Sequence, residues 1–322
     1  METRLQDDHN YEIKNLPDMS DRDLMRKKRY GYVTTFILQY VTQKLTEKGF
    51  QWLLPVILSK STDPLWPDPG ASIEKRIQTE IYGEMVSLTS SMIIHKMVTS
   101  SLLYPKFFIL SPNVRIERRE RKATKWHSYE FTQLDFEIRN ATFDDVRSLT
   151  EELIYGSISQ LRKASEDKVR FRWLKLPEMS IPFDVYDRLE LIKRFGNDWE
   201  NKLIEVITNP VWVRNIPREF YDFEESSSGI WDNYDLYVPK YGEILSGARR
   251  EYEYSKIIYK MERDSVRKEN YDLLLRLARQ GRLKRSAGAG IGIERLVTWI
   301  TGAESISEVQ PFPKVPGIVL DL

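Results

Sequence analysis

Residues 111–138 read SPNVRIERRERKATKWHSYEFTQLDFEI, and the alternation at the two ends of this stretch decides the fold. Val114, Arg115, Ile116 and Glu117 alternate apolar and charged, as do Phe131, Thr132, Gln133, Leu134, Asp135, Phe136, Glu137 and Ile138, which is the period of a half-buried strand. Two such strands joined by a polar loop form an antiparallel hairpin. With Val114, Ile116, Leu134, Phe136 and Ile138 turned to the core, Arg115, Glu117, Phe131, Gln133, Asp135 and Glu137 share the opposite face as a wall of charge with one aromatic ring. Between the strands, Arg118, Arg119, Arg121, Lys122, Lys125 and His127 carry enough positive charge to hold a polyphosphate. On spacing alone, a solvated hairpin with a basic turn accounts for the same pattern.

The surrounding chain has 322 residues, 41% of them hydrophobic, enough for a sizeable core in one large domain or two ordinary ones. Lys and Arg total 49 against 48 Asp and Glu, so no global basic field points to nucleic acid, and a tRNA partner is disfavoured. With no cysteine there is neither a disulfide framework nor a thiolate metal site, and only His9, His95 and His127 offer imidazole. METRLQDDHN has no apolar run behind a basic start, and no apolar stretch is long enough to span a bilayer, which makes the cytoplasm the default compartment.

Residues 1–19 are polar and unperiodic and read as an arm. From Ser20, a helix cap, Tyr32, Val33, Phe36, Ile37, Tyr40, Val41 and Leu45 recur at helical spacing up to Gly49. Phe50 to Val56 reads as a short buried strand whose Pro55 implies an edge or a bulge. Thr62 to Gly70 is too rich in proline for anything but a loop or lid. A helix over 143–164 follows the hairpin. Alternation around Leu236, Val238, Ile244 and Leu245, with Pro239 and Gly242 in the turn, predicts a second pair of strands. Asp235 and Glu243 there could both face a divalent ion, since carboxylate oxygens suit magnesium. Glu251 to Arg282 reads as charged helix with Gly281 as its stop. In Gly288-Ala289-Gly290-Ile291-Gly292, alternate glycines strip one strand face bare so that a flat ring can lie on it, and the next helix presents Arg295 at its start.

Arg115-x-Glu117, the basic loop, His127-x-x-Glu130-Phe131 and Asp135-x-Glu137 together resemble motif 2 of the class II aminoacyl-tRNA synthetases, in their aspartyl/asparaginyl group. The long loop and the SPNVR lead-in resemble the archaeal-type asparagine synthetase A, a free-standing relative of that group. The helix, glycine and proline-bearing strand up to Val56 resemble motif 1, the dimer element; Gly288 to Leu296 resembles motif 3; and Pro311 to Gly317 resembles the family's terminal segment. The resemblance implies an α+β fold, a mostly antiparallel sheet flanked by helices, over residues 20–322, in a homodimer without an anticodon-binding domain. It implies ATP with its adenine between Phe131 and Arg295, Glu117 accepting from the exocyclic amine, His127 and Arg295 on the γ-phosphate, and Mg2+ on Asp235, Glu243 and Ser246. Arg115 would touch both the α-phosphate and the attacking carboxylate. For the substrate it implies Asp63 at the α-amino group, Lys96 and Arg250 reading the side-chain carboxylate, and Gln133 and Asp135 beside them. Three positions depart from the family pattern: Ile93, where glutamine is usual, Trp126, where arginine is usual, and Arg249, where a neutral residue is usual. The implied reaction makes asparagine from aspartate, ammonia and ATP, with AMP released. A stand-alone tRNA-synthetase-like enzyme with another acceptor, or a non-catalytic nucleotide-binding paralogue, are the alternatives.

Overall fold

Ser20 opens the first long helix by accepting a hydrogen bond from the Asp23 amide, and with Asp21 and Asp23 in its electropositive first turn, α1 spans Asp21–Glu47. Val33, Ile37, Val41 and Leu45 form its buried stripe, and Gly49 at φ +78° turns the chain away. The computed structural model describes residues 13–63, 73–225 and 228–321. The expected arm, apart from its last residues, and the proline-rich loop from Pro64 onward therefore lie outside the described residues.

A single large sheet positions everything else. Its strands are β1 (Gln51–Leu53), β2 (Lys106–Val114), β3 (Glu130–Arg139), β4 (Asp184–Asp187), β5 (Val211–Arg214), β6 (Asn233–Val238), β7 (Gly242–Arg249) and β8 (Ser286–Gly292). Their order is β1-β2-β3-β8-β7-β6-β5-β4, antiparallel through the middle and parallel only in the end pairs, β1 with β2 and β4 with β5. The sheet is thus mostly antiparallel, as expected, and β1 is an edge strand, but it ends at Leu53, short of Pro55, and is exposed rather than buried as the sequence suggests. Trp52, Leu54 and Ile57 stand exposed at and just after it.

The hairpin forms with a longer first arm than its alternation predicts. β2 starts at Lys106 and pairs Asn113 with Phe131, Ser111 with Gln133 and Ile109 with Asp135, whereas Ile116 and Glu117 leave this ladder and pair with residues 73–75. Pro112 hides the strand from a sequence reading, because proline has no amide to give a ladder. Opposite it, the Thr132 amide donates to the Glu294 carboxylate at 2.9 Å. That carboxyl is pushed up to about 7 by burial.

Seven further helices complete the described fold: α2 (Ile93–Leu102), α3 (Phe143–Asp167), α4 (Arg188–Phe195), α5 (Trp199–Val206), α6 (Tyr254–Arg263), α7 (Asp272–Arg279) and α8 (Ile293–Thr301), besides one short turn of helix at Ile306–Val309. α1, α3 and α8 pack Ile37, Leu45, Val146, Leu153, Leu296 and Ile300 into one core with Leu134, Phe136, Ala287 and Ala289 of the sheet. α2, α6 and α7 build a second core around Met97, Phe220, Ile257, Met261 and Leu274. Glu251 to Arg282 is two helices rather than one run, because Ser265 takes φ +55° and the Val266 amide turns back to the Met261 carbonyl. The terminal segment is strapped down where the Lys314 carbonyl accepts from the Tyr129 amide. No helix among the described residues is long and apolar enough to cross a membrane.

Candidate active site

Alternation along β3 sends Leu134 and Phe136 into the core and Gln133, Asp135 and Glu137 to the opposite face, where α2 and the segment before β6 enclose a cavity of about 680 Å³. Arg115 lies just beyond the end of β2, its amide donating to Tyr129 O at 2.9 Å. Its Nε donates to the Ser90 carbonyl at 3.1 Å and its guanidinium sits 5.2 Å from the Phe131 ring centroid, so backbone and ring fix the fork in place. No carboxylate pairs with Arg115 among the described residues. Glu117 is 7% exposed, and one of its carboxylate oxygens is buried without a hydrogen-bond partner. Arg295, at the start of α8, donates to the Glu243 carbonyl at 2.9 Å and the Trp126 carbonyl at 3.3 Å, with the Glu243 carboxylate 4.0 Å away.

His127 is engaged within the basic loop. Arg121 Nη1 lies 3.0 Å from Nε2, and arginine can only donate, so Nε2 accepts and the ring proton sits on Nδ1, 2.6 Å from the Thr124 hydroxyl. Burial, then the nearby charges of Arg295, Arg121 and Arg115, push the imidazole down to about 3. His127 is a neutral ring with both nitrogens engaged, holding Arg121 in the loop.

On another wall of the cavity, α2 delivers Lys96 at 3% exposure, and its Nζ meets Asp135 at 2.6 Å and the Ala289 carbonyl at 3.3 Å. The other Asp135 oxygen accepts from the Ser111 hydroxyl, and Gln133 accepts from Asn113 at 2.9 Å. Arg250 is likewise buried, donating to Asp222 at 2.8 Å, to Glu137 at 3.2 Å and to the Gly288 carbonyl at 3.3 Å. Arg249 instead turns away to Asp232 at 3.1 Å and covers the Phe223 ring at 3.5 Å, so the inward arginine of this segment is Arg250. One expectation is corrected here: Lys96 and Arg250 do not offer two unspent positive charges, because Asp135, Glu137 and Asp222 already meet them.

The glycines of β8 are corrected in the same sense. A Cβ on Gly288 would fall 2.3 Å from the Glu137 carboxylate, and one on Gly290 would fall 3.0 Å from Asp135 and Gln133. These two glycines make room for side chains of β3, not for a ligand ring. Gly292, where the nearest neighbour of a Cβ would be 3.8 Å away, is the glycine that leaves open space, close to Arg295.

The sequence reading passed over residues 216–223, which supply four groups to the site. Arg218 donates to the Ser246 hydroxyl and to the Asp235 carboxylate, the latter at 2.5 Å. Burial raises the Asp235 carboxyl, Arg218 opposes that, and Glu243 adds to it, while the second oxygen of Asp235 is buried without a partner. Among the described residues no three His, Cys, Asp or Glu side chains gather as a metal cluster. The orphaned oxygen of Asp235 and the carboxylate of Glu243 fit a magnesium that also takes phosphate oxygens, but Ser246 is held by Arg218. Glu219, Tyr221 and Asp222 face the cavity, with Tyr221 donating to the Asp63 carboxylate at 3.1 Å. Burial, then the charge of Asp63, pushes Glu219 up to about 8. Pro217-Arg218-Glu219-Phe220-Tyr221-Asp222 has no strand or helix period; its available signal was charge interleaved with two aromatic residues that a core must bury.

Residues 23–316 match the family model of tRNA synthetases class II (D, K and N). The chain is 26% identical over 251 residues to an asparagine–tRNA ligase of Mesomycoplasma hyopneumoniae, a match covering 68% of this chain and 55% of that protein. It is 22% identical over 314 residues to an aspartate–tRNA(Asp/Asn) ligase of Sulfurisphaera tokodaii, covering 91% and 70%. Its fold resembles asparaginyl-tRNA synthetase from Pyrococcus horikoshii complexed with asparaginyl-adenylate at a TM-score of 0.79, with 22% identity, covering 94% of this chain and 74% of that one. The chain spans about half the length of the first of these relatives. With the family model matched across almost its whole length, this chain belongs to the class II tRNA synthetase family of the D, K and N kind.

Proposed function

We propose that this chain activates an amino acid of the aspartate and asparagine kind with ATP. One carboxylate oxygen attacks the α-phosphorus, the bond to pyrophosphate breaks, and an acyl-adenylate remains. The observation that carries this reading is Arg115, a guanidinium fixed by the Ser90 carbonyl and the Phe131 ring, unpaired with any described carboxylate, on the wall of the cavity. Two anions must meet in this reaction, and a preorganised fork of N–H donors lowers the barrier where their charges converge. Phe131, the space at Gly292 and Arg295 support a stacked purine, and the unpartnered oxygen of Glu117 supports acceptance from its amine. Magnesium, when bound through Asp235 and Glu243, would neutralise phosphate charge.

The names of the relatives support a tRNA hydroxyl as acceptor over the ammonia expected from the sequence. A tRNA partner, which the even charge balance argued against, thereby returns. Amino-acid-dependent exchange of labelled pyrophosphate into ATP tests the first step with aspartate and with asparagine, and no exchange with either ends the reading. Total tRNA in one arm and ammonium in the other then separate the acceptors: charged tRNA supports the ligase, and free asparagine from aspartate supports the synthetase of asparagine.

A further inference from the structure

The chain as a whole is balanced, with 49 basic against 48 acidic side chains, but two short stretches are not. Residues 22–29 carry five basic side chains and one acidic, and residues 168–175 carry four basic and none acidic. The fold brings the two together. The Arg29 guanidinium of α1 lies 5.8 Å from the Trp173 ring, the Arg170 guanidinium lies 5.4 Å from the Tyr32 ring of α1, and the Tyr30 and Trp173 rings meet at 5.7 Å. Beneath them Phe171 is buried against Phe36, and the Trp173 indole N–H donates to the Arg170 carbonyl at 2.8 Å, which fixes segment 168–175 as a platform although it has no regular period. The one acid of the first stretch, Asp23, is taken by Arg26 at 2.7 Å. Lys28, Arg29, Lys168, Arg170, Arg172 and Lys175 are exposed and form no ion pair among the described residues. Stacking on a ring orients a guanidinium without neutralising it, so this face combines fixed, unpaired cations with aromatic rings. The patch is also tied to the cavity. The Lys27 ammonium donates to the Ser307 and Gln310 carbonyls at 2.9 and 2.7 Å, and the Ile306 amide donates to the Lys125 carbonyl at 3.0 Å, so residues 306–310 join α1 to the basic loop.

We infer that this face of α1 and segment 168–175 binds the sugar–phosphate backbone of a double-helical RNA and holds it while an end of that RNA reaches the cavity past the basic loop. The inference rests on the reading of a tRNA as acceptor and deepens it by naming a docking surface outside the cavity. Contacts of this kind go to phosphate and fix position without reading sequence. The even net charge does not oppose them, because the driving force is release of counterions from the phosphates that the patch itself covers.

Filter binding of total tRNA across a salt series of about 50 to 200 mM reads the patch directly. Lys28→Glu combined with Lys175→Glu changes two exposed side chains that make no hydrogen bond or ion pair among the described residues. Affinity at the lower salt should fall about tenfold or more, and the slope of log K against log salt should shrink by about two, with the melting temperature and pyrophosphate exchange unmoved. Lys193→Glu combined with Arg194→Glu, on α4 in a separate core cluster, makes the same change in net charge and should lose far less. An unchanged affinity in the first variant, or an equal loss in both, overturns the inference. So does binding to phosphatidylglycerol vesicles that the first variant loses while it keeps its tRNA, which gives the patch to a lipid surface. Pyrophosphate exchange in wild-type protein without any tRNA binding overturns the inference and leaves the adenylation reading standing. Binding of tRNA through the patch without charging of that tRNA sustains the surface and ends the acceptor reading alone.

Discussion

Two regions of the proposed site handle charge in opposite ways. In the proposed nucleotide region Arg115 and Arg295 donate to backbone carbonyls, and Glu117 keeps a carboxylate oxygen without a partner. In the proposed amino-acid region Lys96 and Arg250 are enclosed with three carboxylates within 3.2 Å. A cation fixed by carbonyls and a ring keeps its charge for a ligand. A cation between two carboxylates has lost it. The same residue type is therefore left available to an anion in one region and forms a structural cross-link in the other.

The contrast breaks or holds first on stability. Arg250→Ala leaves Glu137 and Asp222 buried without their counter-ion, so unfolding in urea should show a loss of about 3–5 kcal/mol. Arg115→Ala, which strands no carboxylate, should cost less than about 1 kcal/mol. Equal losses at both positions would erase the distinction. Next comes catalysis. Arg115→Lys keeps the charge and loses the planar fork, and pyrophosphate exchange should fall by about 10²- to 10³-fold with the melting temperature unmoved. An unchanged rate would mean that the free guanidinium is not at the reacting centre.

A smaller effect sharpens the amino-acid end. Asp222→Asn removes one of the two carboxylates that neutralise Arg250 and keeps the side-chain shape. Aspartate should then gain on asparagine by about tenfold, because Arg250 regains part of its attraction for an anion. The ratio of dissociation constants for the two amino acids, measured with ATP present, checks this. A ratio that does not move would falsify the idea that Asp222 is what spends the charge of Arg250.

Much of the fold was legible because local rules and tertiary packing agree. Ser20 caps α1, Gly49 ends it, the alternation of Leu134 and Phe136 buries one face of β3, and Gly242 at φ +81° closes the turn between β6 and β7. The inward arginine of the β7 segment was also readable, at Arg250. Strand β2 was partly hidden by Pro112, whose missing amide is tolerated where Thr132 turns to Glu294. Harder to read were the pairings inside the site. Lys96 and Asp135 are 39 residues apart, Glu137 and Arg250 are 113 apart, and no periodicity links positions so distant. Arg218, Glu219 and Asp222 sit in an irregular segment, where their orientation is set by Phe220 and Tyr221 anchoring in the core and not by any repeating pattern. Alternate glycines in β8 read as ligand space, whereas the bulk they admit belongs to β3.

An effect on pH dependence concerns the loop between β2 and β3, and its sign follows from His127. The folded imidazole is held near 3 against 6.5 in an unfolded chain, because burial and the surrounding arginines disfavour its charge. Its contribution to stability is therefore full above pH 6.5 and is lost as pH falls toward 3, since the unfolded chain takes up a proton that the folded one refuses. Glu219 runs the other way: with its carboxyl raised to about 8, stability drains as pH rises from the ordinary carboxylate range toward that value. Between pH 7 and pH 5, His127→Gln should remove about 2 kcal/mol of the acid sensitivity seen in wild-type protein, and Glu219→Gln should steepen that limb. Melting curves of the three proteins at the two pH values decide the matter. If His127→Gln loses stability in acid as steeply as wild type, the ring is not held neutral by its neighbours, and Arg121 is not fixed through it.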